Sequence, residues 1–70
     1  MKKIEFSLTQ DFIELMKLLK LLGLVETGGH AKIVIEEGLV RYNNEVEFRK
    51  RKKLFKGDVV QFNNHQINII

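Results

Sequence analysis

The sequence predicts a small α+β domain: a short N-terminal strand, then a helix-turn-helix-like pair packed on a small antiparallel sheet. Three observations carry this. Apolar residues recur at three- and four-residue steps between Phe12 and Ile35, while outside that span they alternate. Gly23 and Gly38 stand where the two helical patterns stop. Asn-Asn and Gly-Asp pairs then punctuate the C-terminal half at hairpin intervals.

Taken in order, Ile4, Phe6 and Leu8 alternate with Lys3, Glu5 and Ser7, the pattern of a strand with one buried face. Thr9 is placed to cap the following helix through its hydroxyl oxygen. Phe12, Leu15, Met16, Leu19 and Leu22 form that helix's apolar face. Ile13 and Leu21 lie off the face, so the helix is expected to touch a second element. In "ETGGHAKIVIEEG" Thr27 is the next cap, and Ala31, Val34 and Ile35 make the inward stripe. "LVRYNNEVEF" reads as two strands around Asn43-Asn44, residues that tolerate positive φ. "FKGD" is a turn, Val59 to Phe62 a strand, and "NNH" a last turn into "QINII". Phe48, Phe55 and Phe62 fall at strand periods and are expected in the core, leaving no exposed aromatic stripe.

Seventy residues suffice for one domain, residues 1–70, close to the lower limit for a self-supporting core. With 44% apolar and 30% charged residues the chain has a globular balance rather than a disordered one. The absence of cysteine excludes disulfides and thiolate metal sites, and suits a reducing compartment. "MKKIEFSLTQ" turns acidic and polar too soon for a secretory signal, and Glu14, Lys17 and Lys20 interrupt the most apolar stretch. A cytoplasmic protein with no membrane partner is the expectation.

Catalysis finds little material. Ser7 is the one serine, inside the first strand and distant in sequence from either histidine. His30 and His65 lack metal-ligand spacing and fit capping and turn roles. Glu36 and Glu37, adjacent on a helix, do not face each other. No catalytic residue, metal, cofactor or small-molecule substrate is expected.

Charge is more informative. Of twelve Lys and Arg residues, six lie between Arg49 and Lys56 with no acid among them, while the remainder of the chain is net acidic. The overall +3 is therefore concentrated in "RKRKKLFK". Phe48 and Leu54 bracket the run Arg49, Lys50, Arg51, Lys52 and Lys53, and are expected to fix its ends. Arg41, on the preceding strand, is expected nearby. A short cationic loop with fixed ends suits a phosphate backbone, which arginine grips with paired bonds and lysine as a point charge. "TGGHAK" offers a second anion-binding element: Thr27 satisfies one free N–H, Gly28 and Gly29 leave others uncovered, and Lys32 adds a charge. Its spacing is not that of a nucleotide phosphate loop.

Gly23, Thr27, Ala31, Val34-Ile35, Gly38, Val40-Arg41-Tyr42-Asn43-Asn44 and Gly57-Asp58, in this order, resemble the S-four-type RNA-binding domain with its alpha-L motif. The likeness runs from Leu18 to Val60 and is greatest to small stand-alone bacterial, ribosome-associated members, whose Ser-Gly-Gly-Glu-Ala-Lys-like helix start "TGGHAK" resembles. It implies a protein that binds structured RNA, ribosomal RNA or the ribosome during its assembly, through the helix pair and basic loop. Residue by residue it points to Thr27, Gly28, Gly29 and Lys32, with Lys20 and Arg41 as further carry-overs. Gly28 departs from the arginine many members have there, His30 from Glu or Gln, and Asn44 from the turn glycine. The run from Arg49 to Lys53 is expected to supply the charge that Gly28 does not. The rival expectation is a protein-interaction module whose basic loop docks an acidic partner.

Overall fold

Alternating apolar residues near the two ends of the chain meet at one edge of the sheet. In the computed structural model, which describes residues 1–70, β1 (Lys2–Phe6) runs parallel to β7 (His65–Ile69), with Ile4 opposite Ile67 and Phe6 opposite Ile69. Next to β7 lie β6 (Val59–Phe62), β3 (Val40–Tyr42) and β4 (Glu45–Val46), each antiparallel to its neighbour. The sheet order is β1-β7-β6-β3-β4. The antiparallel sheet read from the hairpin signals is therefore present in four strands, with β1 added as a parallel edge. Hairpin turns leave no room for a parallel pair; the long excursion through the helices supplies the connection that one needs.

Period-two alternation sorts the sheet's faces. Val40, Val60, Phe62, Ile67 and Ile69 are buried, whereas Lys3, Gln66, Gln61 and Arg41 form a polar cross-strand row on the other side. Two helices cover the apolar face: α1 (Leu15–Leu21) and α2 (Gly28–Glu36). Leu15, Leu18, Leu19, Ala31 and Ile35 are wholly inaccessible and join the sheet residues in one core. Gly23 and Gly38 adopt φ of 71° and 77° beyond the two helices, as their positions required.

Asparagine pairs make both tight hairpins. Asn43 and Asn44 have φ of 48° and 73°, and Asn63 and Asn64 repeat this at 48° and 66°. Asn43 does more than turn. Its Oδ1 accepts from the Val59 N–H at 2.8 Å, and its Nδ2 donates to Asp58 Oδ1 at 3.3 Å. Asp58 Oδ2 in turn accepts from the Phe55 N–H at 2.8 Å. Asn43 and the Gly57-Asp58 pair thus tie two turns together.

Two expectations change. Thr9 caps no helix: Ile13–Glu14 forms a short strand, β2, paired with β5 (Lys53–Leu54), and α1 begins only after it. Pairing with β5 takes the two residues that helical periodicity would have claimed, which is how Ile13 becomes buried off the helix face. Phe48 and Phe55 are not core residues; they are 59% and 48% exposed, while Phe62 is buried as expected. The strands beside them are two residues long, so Leu54 alone points inward from β5.

Candidate nucleic-acid interface

The start of α2 is built from "TGGH". Thr27 is extended, and its Oγ1 accepts from the His30 N–H at 3.0 Å. His30 answers with Nδ1, which accepts from the Glu26 N–H at 3.4 Å, a reciprocal arrangement similar to a capping box. His30 therefore ties the residue before the cap to the first turn of α2. The N–H groups of Gly28 and Gly29 donate to no carbonyl or side chain of the protein. A Cβ at Gly28 would meet only Met16 Cε at 3.9 Å, and one at Gly29 only Thr27 Oγ1 at 3.8 Å. Neither glycine is demanded by packing. What they do is leave the positive end of the helix bare.

The basic loop is strapped to the other helix. Glu14 offers α1 no side-chain cap. Instead the Leu15 N–H donates to the Lys52 carbonyl and the Met16 N–H to the Lys50 carbonyl, both at 2.9 Å. Leu54, wholly buried opposite Ile13, fixes the downstream end as expected. The upstream anchor is Glu47 in place of Phe48. Glu47 is the one buried charged residue, and its N–H donates to the Val40 carbonyl at 2.9 Å. Its carboxylate accepts from the Arg49 backbone N–H at 3.0 Å, from Nε at 2.9 Å and from Nη2 at 3.2 Å. Those bonds hold the Glu47 carboxyl below its ordinary range despite its burial.

Because the loop crosses the start of α1 and α1 packs on α2, the two cationic elements coincide. Lys50 and Arg51 share one shallow depression with Gly28, Gly29, Lys32 and Met16. Arg51 also lines the neighbouring depression, with Arg49, Lys52, Lys53 and Phe55. Arg49–Glu47 is the one ion pair in the molecule, so Lys32, Lys50 and Arg51 have no anionic partner. The ammonium groups of Lys52 and Lys53 stand 4.9 Å and 4.7 Å from the ring centroids of Tyr42 and Phe12. Burial, then the Asp58 carboxylate, raise the Tyr42 phenol above its ordinary value.

Thus Thr27, Gly28, Gly29, Lys32 and the run from Arg49 to Lys53 come together. Lys20 is exposed one helical turn beyond Met16 and extends the same side of α1. Arg41 does not join them. It alternates with buried Val40 and pairs in register with Gln61 and Val46, so its side chain leaves the opposite face of the sheet. Sequence reasoning missed Met16 as the apolar floor between glycines and loop, and Glu47 as the loop's anchor. An acid two residues before an arginine was the available signal for Glu47.

A family model described as the S4 domain matches residues 6–70. The chain belongs to the S4 domain family. Among S4-domain relatives, YbcJ of Escherichia coli is 45% identical over 58 residues, covering 83% of each chain. RlbA of Bacillus subtilis, named a probable ribosome maturation protein, is 38% identical over 55 residues, 79% of this chain and 78% of RlbA. The solution structure of YbcJ, described as revealing an alpha-L motif involved in RNA binding, superposes with a TM-score of 0.65 at 38% identity. That superposition spans 100% of this chain and 87% of YbcJ. Two helices on a sheet are the shared architecture of this S4 domain and its solved relative.

Proposed function

We propose that this S4 domain is a cytoplasmic RNA-binding protein that holds structured RNA, ribosomal RNA above all, chiefly through phosphates, and works on the ribosome or its assembly. The observation that carries the reading is the single depression containing Gly28, Gly29, Lys32, Lys50 and Arg51. Two bare N–H groups at the end of a helix dipole seat one phosphate oxygen, and Lys32 neutralises it. Lys50 and Arg51 meet the next phosphates along the backbone, with Lys52 and Lys53 behind them. Such a surface reads the shape of an A-form helix, whose base edges lie out of side-chain reach. Binding, with no turnover, is the whole of the activity. The relatives' names, one a ribosome maturation protein and one a structure with an RNA-binding motif, support the same direction.

The test is the triple variant Lys32→Glu, Lys50→Glu, Arg51→Glu, titrated with a ribosomal RNA fragment at several salt concentrations. All three side chains are outside the core, so the fold should survive, as circular dichroism would report. Wild-type affinity should fall with salt at roughly 0.7–0.9 logarithmic units per phosphate contact. The variant should lose the binding. Retention of the wild-type affinity and salt slope would place the contact elsewhere. Affinity for acidic ribosomal proteins but not for naked RNA would instead select a protein-docking role for the loop.

A further inference from the structure

Phe55 is half-exposed on a rigid mount. Its N–H is held by Asp58 Oδ2 at 2.8 Å, and its ring lies 6.3 Å from that of Phe12, tilted by 50°. Leaving such a ring in water forgoes burial that a core position would have given. The surroundings of the ring differ on its two sides. Toward the loop it borders Arg49, Arg51 and Lys53; away from the loop it borders Thr9, Gln10 and Asp11, together with Lys56. One side suits an anion. On the other, Gln10 and Asp11 are neutral and negative groups that can pair with N–H donors.

A nucleotide has that same division, a phosphate at one end and a flat base with an N–H-bearing edge at the other. We infer that Phe55 is a stacking platform for one unpaired base of the bound RNA, with the base edge toward Gln10 and Asp11 and its phosphate toward Arg51. A base inside a duplex is stacked on its neighbours and hidden from such a ring, so the ligand is an RNA helix interrupted by a bulge or ending in a loop. The inference rests on the RNA-binding reading above and refines it: phosphates along the helix at Gly28 to Lys32 and Lys50 to Arg51, one extruded base at Phe55.

The experiment compares two RNAs, a blunt duplex and the same duplex carrying one unpaired 2-aminopurine. The wild-type protein should bind the bulged RNA about tenfold more tightly, within the range base–aromatic stacking gives. Binding should also quench the 2-aminopurine fluorescence. Phe55→Ala should lose the preference and the quenching while binding the blunt duplex as before. Phe55→Trp should keep both, and Phe55→Leu, apolar but without a π-face, should not. Equal wild-type affinity for the two RNAs, or an equal loss on both in Phe55→Ala, overturns the stacking platform and leaves the phosphate surface standing. Failure of the wild type to bind either RNA, with binding to polyglutamate in its place, overturns both readings.

Discussion

The two helices of this S4 domain begin in opposite ways, and the contrast explains how a 70-residue chain displays charge without losing its fold. At α1 the first free N–H groups are closed by protein: the carbonyls of Lys52 and Lys50 take those of Leu15 and Met16. At α2 the cap uses Thr27 for the His30 N–H and leaves Gly28 and Gly29 open. Both are solutions to the same problem of orphan donors at a helix start. The closed start spends its donors on positioning the cationic loop. The open one leaves its donors bare, and in the reading proposed above a phosphate takes them. One helix end therefore places cations beside the other: the carbonyls of Lys50 and Lys52 hold the loop backbone against α1, and Glu47 holds the Arg49 side chain.

Breaking the closed start should have the largest effect. Leu54 is wholly buried, opposite Ile13, and ends the loop that caps α1. Leu54→Ala should cost about 2–5 kcal/mol, a large share of the stability of a domain this size. Urea denaturation measures it directly. Because the loop loses its downstream anchor, RNA affinity should fall even where the variant remains folded. Ile33→Ala, on the exposed side of α2, is the matched control and should leave stability within about 0.5 kcal/mol.

The open start should respond in the reverse sense, with stability and binding moving apart. Gly28 has ordinary backbone angles and space for a Cβ. Gly28→Ala should stabilise the fold by about 0.4–1 kcal/mol, by restricting the unfolded chain. Gly28→Glu adds an acid to the first turn of α2, where the helix dipole favours it by about 0.3–1 kcal/mol. The same carboxylate would occupy the proposed phosphate position, so RNA affinity should drop at least about tenfold at moderate salt. Thermal melts and a binding titration on the same samples read both effects. A Gly28→Glu protein that gained stability and kept its affinity would mean that the α2 start is not a phosphate seat.

How much of this could be read from the chain differs between the two starts for a physical reason. Everything at α2 is local: Thr27 bonds three residues ahead, Gly38 ends the helix, and Ala31, Val34 and Ile35 face inward by period alone. All of it was legible. The start of α1 depends on Lys50 and Lys52, more than thirty residues downstream, acting through backbone carbonyls that carry no residue signature. Thr9 looked like a cap because nothing in the sequence shows that Ile13–Glu14 will pair with Lys53–Leu54. Phe48 and Phe55 fitted strand periods, but β4 and β5 stop after two residues, and periodicity does not report where a strand ends. Arg41 was near the loop in sequence and was turned away by one step of strand alternation.

The smallest expected effect concerns Glu47, which stands between the two starts because it orders the loop while engaging one of its cations. Its bonds from Arg49 favour the carboxylate, so its folded pKa lies below the ordinary 4.5. The unfolded chain then holds the proton more tightly than the folded one, and stability from this group is present in full above pH 4.5. It is lost as the pH falls through the folded value, below that point. Glu47→Gln removes the titration and leaves the other carboxylates to titrate in common. Denaturant midpoints of the two proteins should therefore differ most near neutrality and converge in acid; parallel curves down to acid pH would mean the pair contributes nothing through charge. The same substitution should change binding in the opposite direction. With Glu47 neutral, Arg49 is no longer offset by an adjacent anion, and the salt slope should steepen by up to roughly 0.7–0.9, one phosphate contact. An unchanged slope would show that Arg49 serves the loop alone, leaving Lys32, Lys50 and Arg51 as the cations that meet RNA.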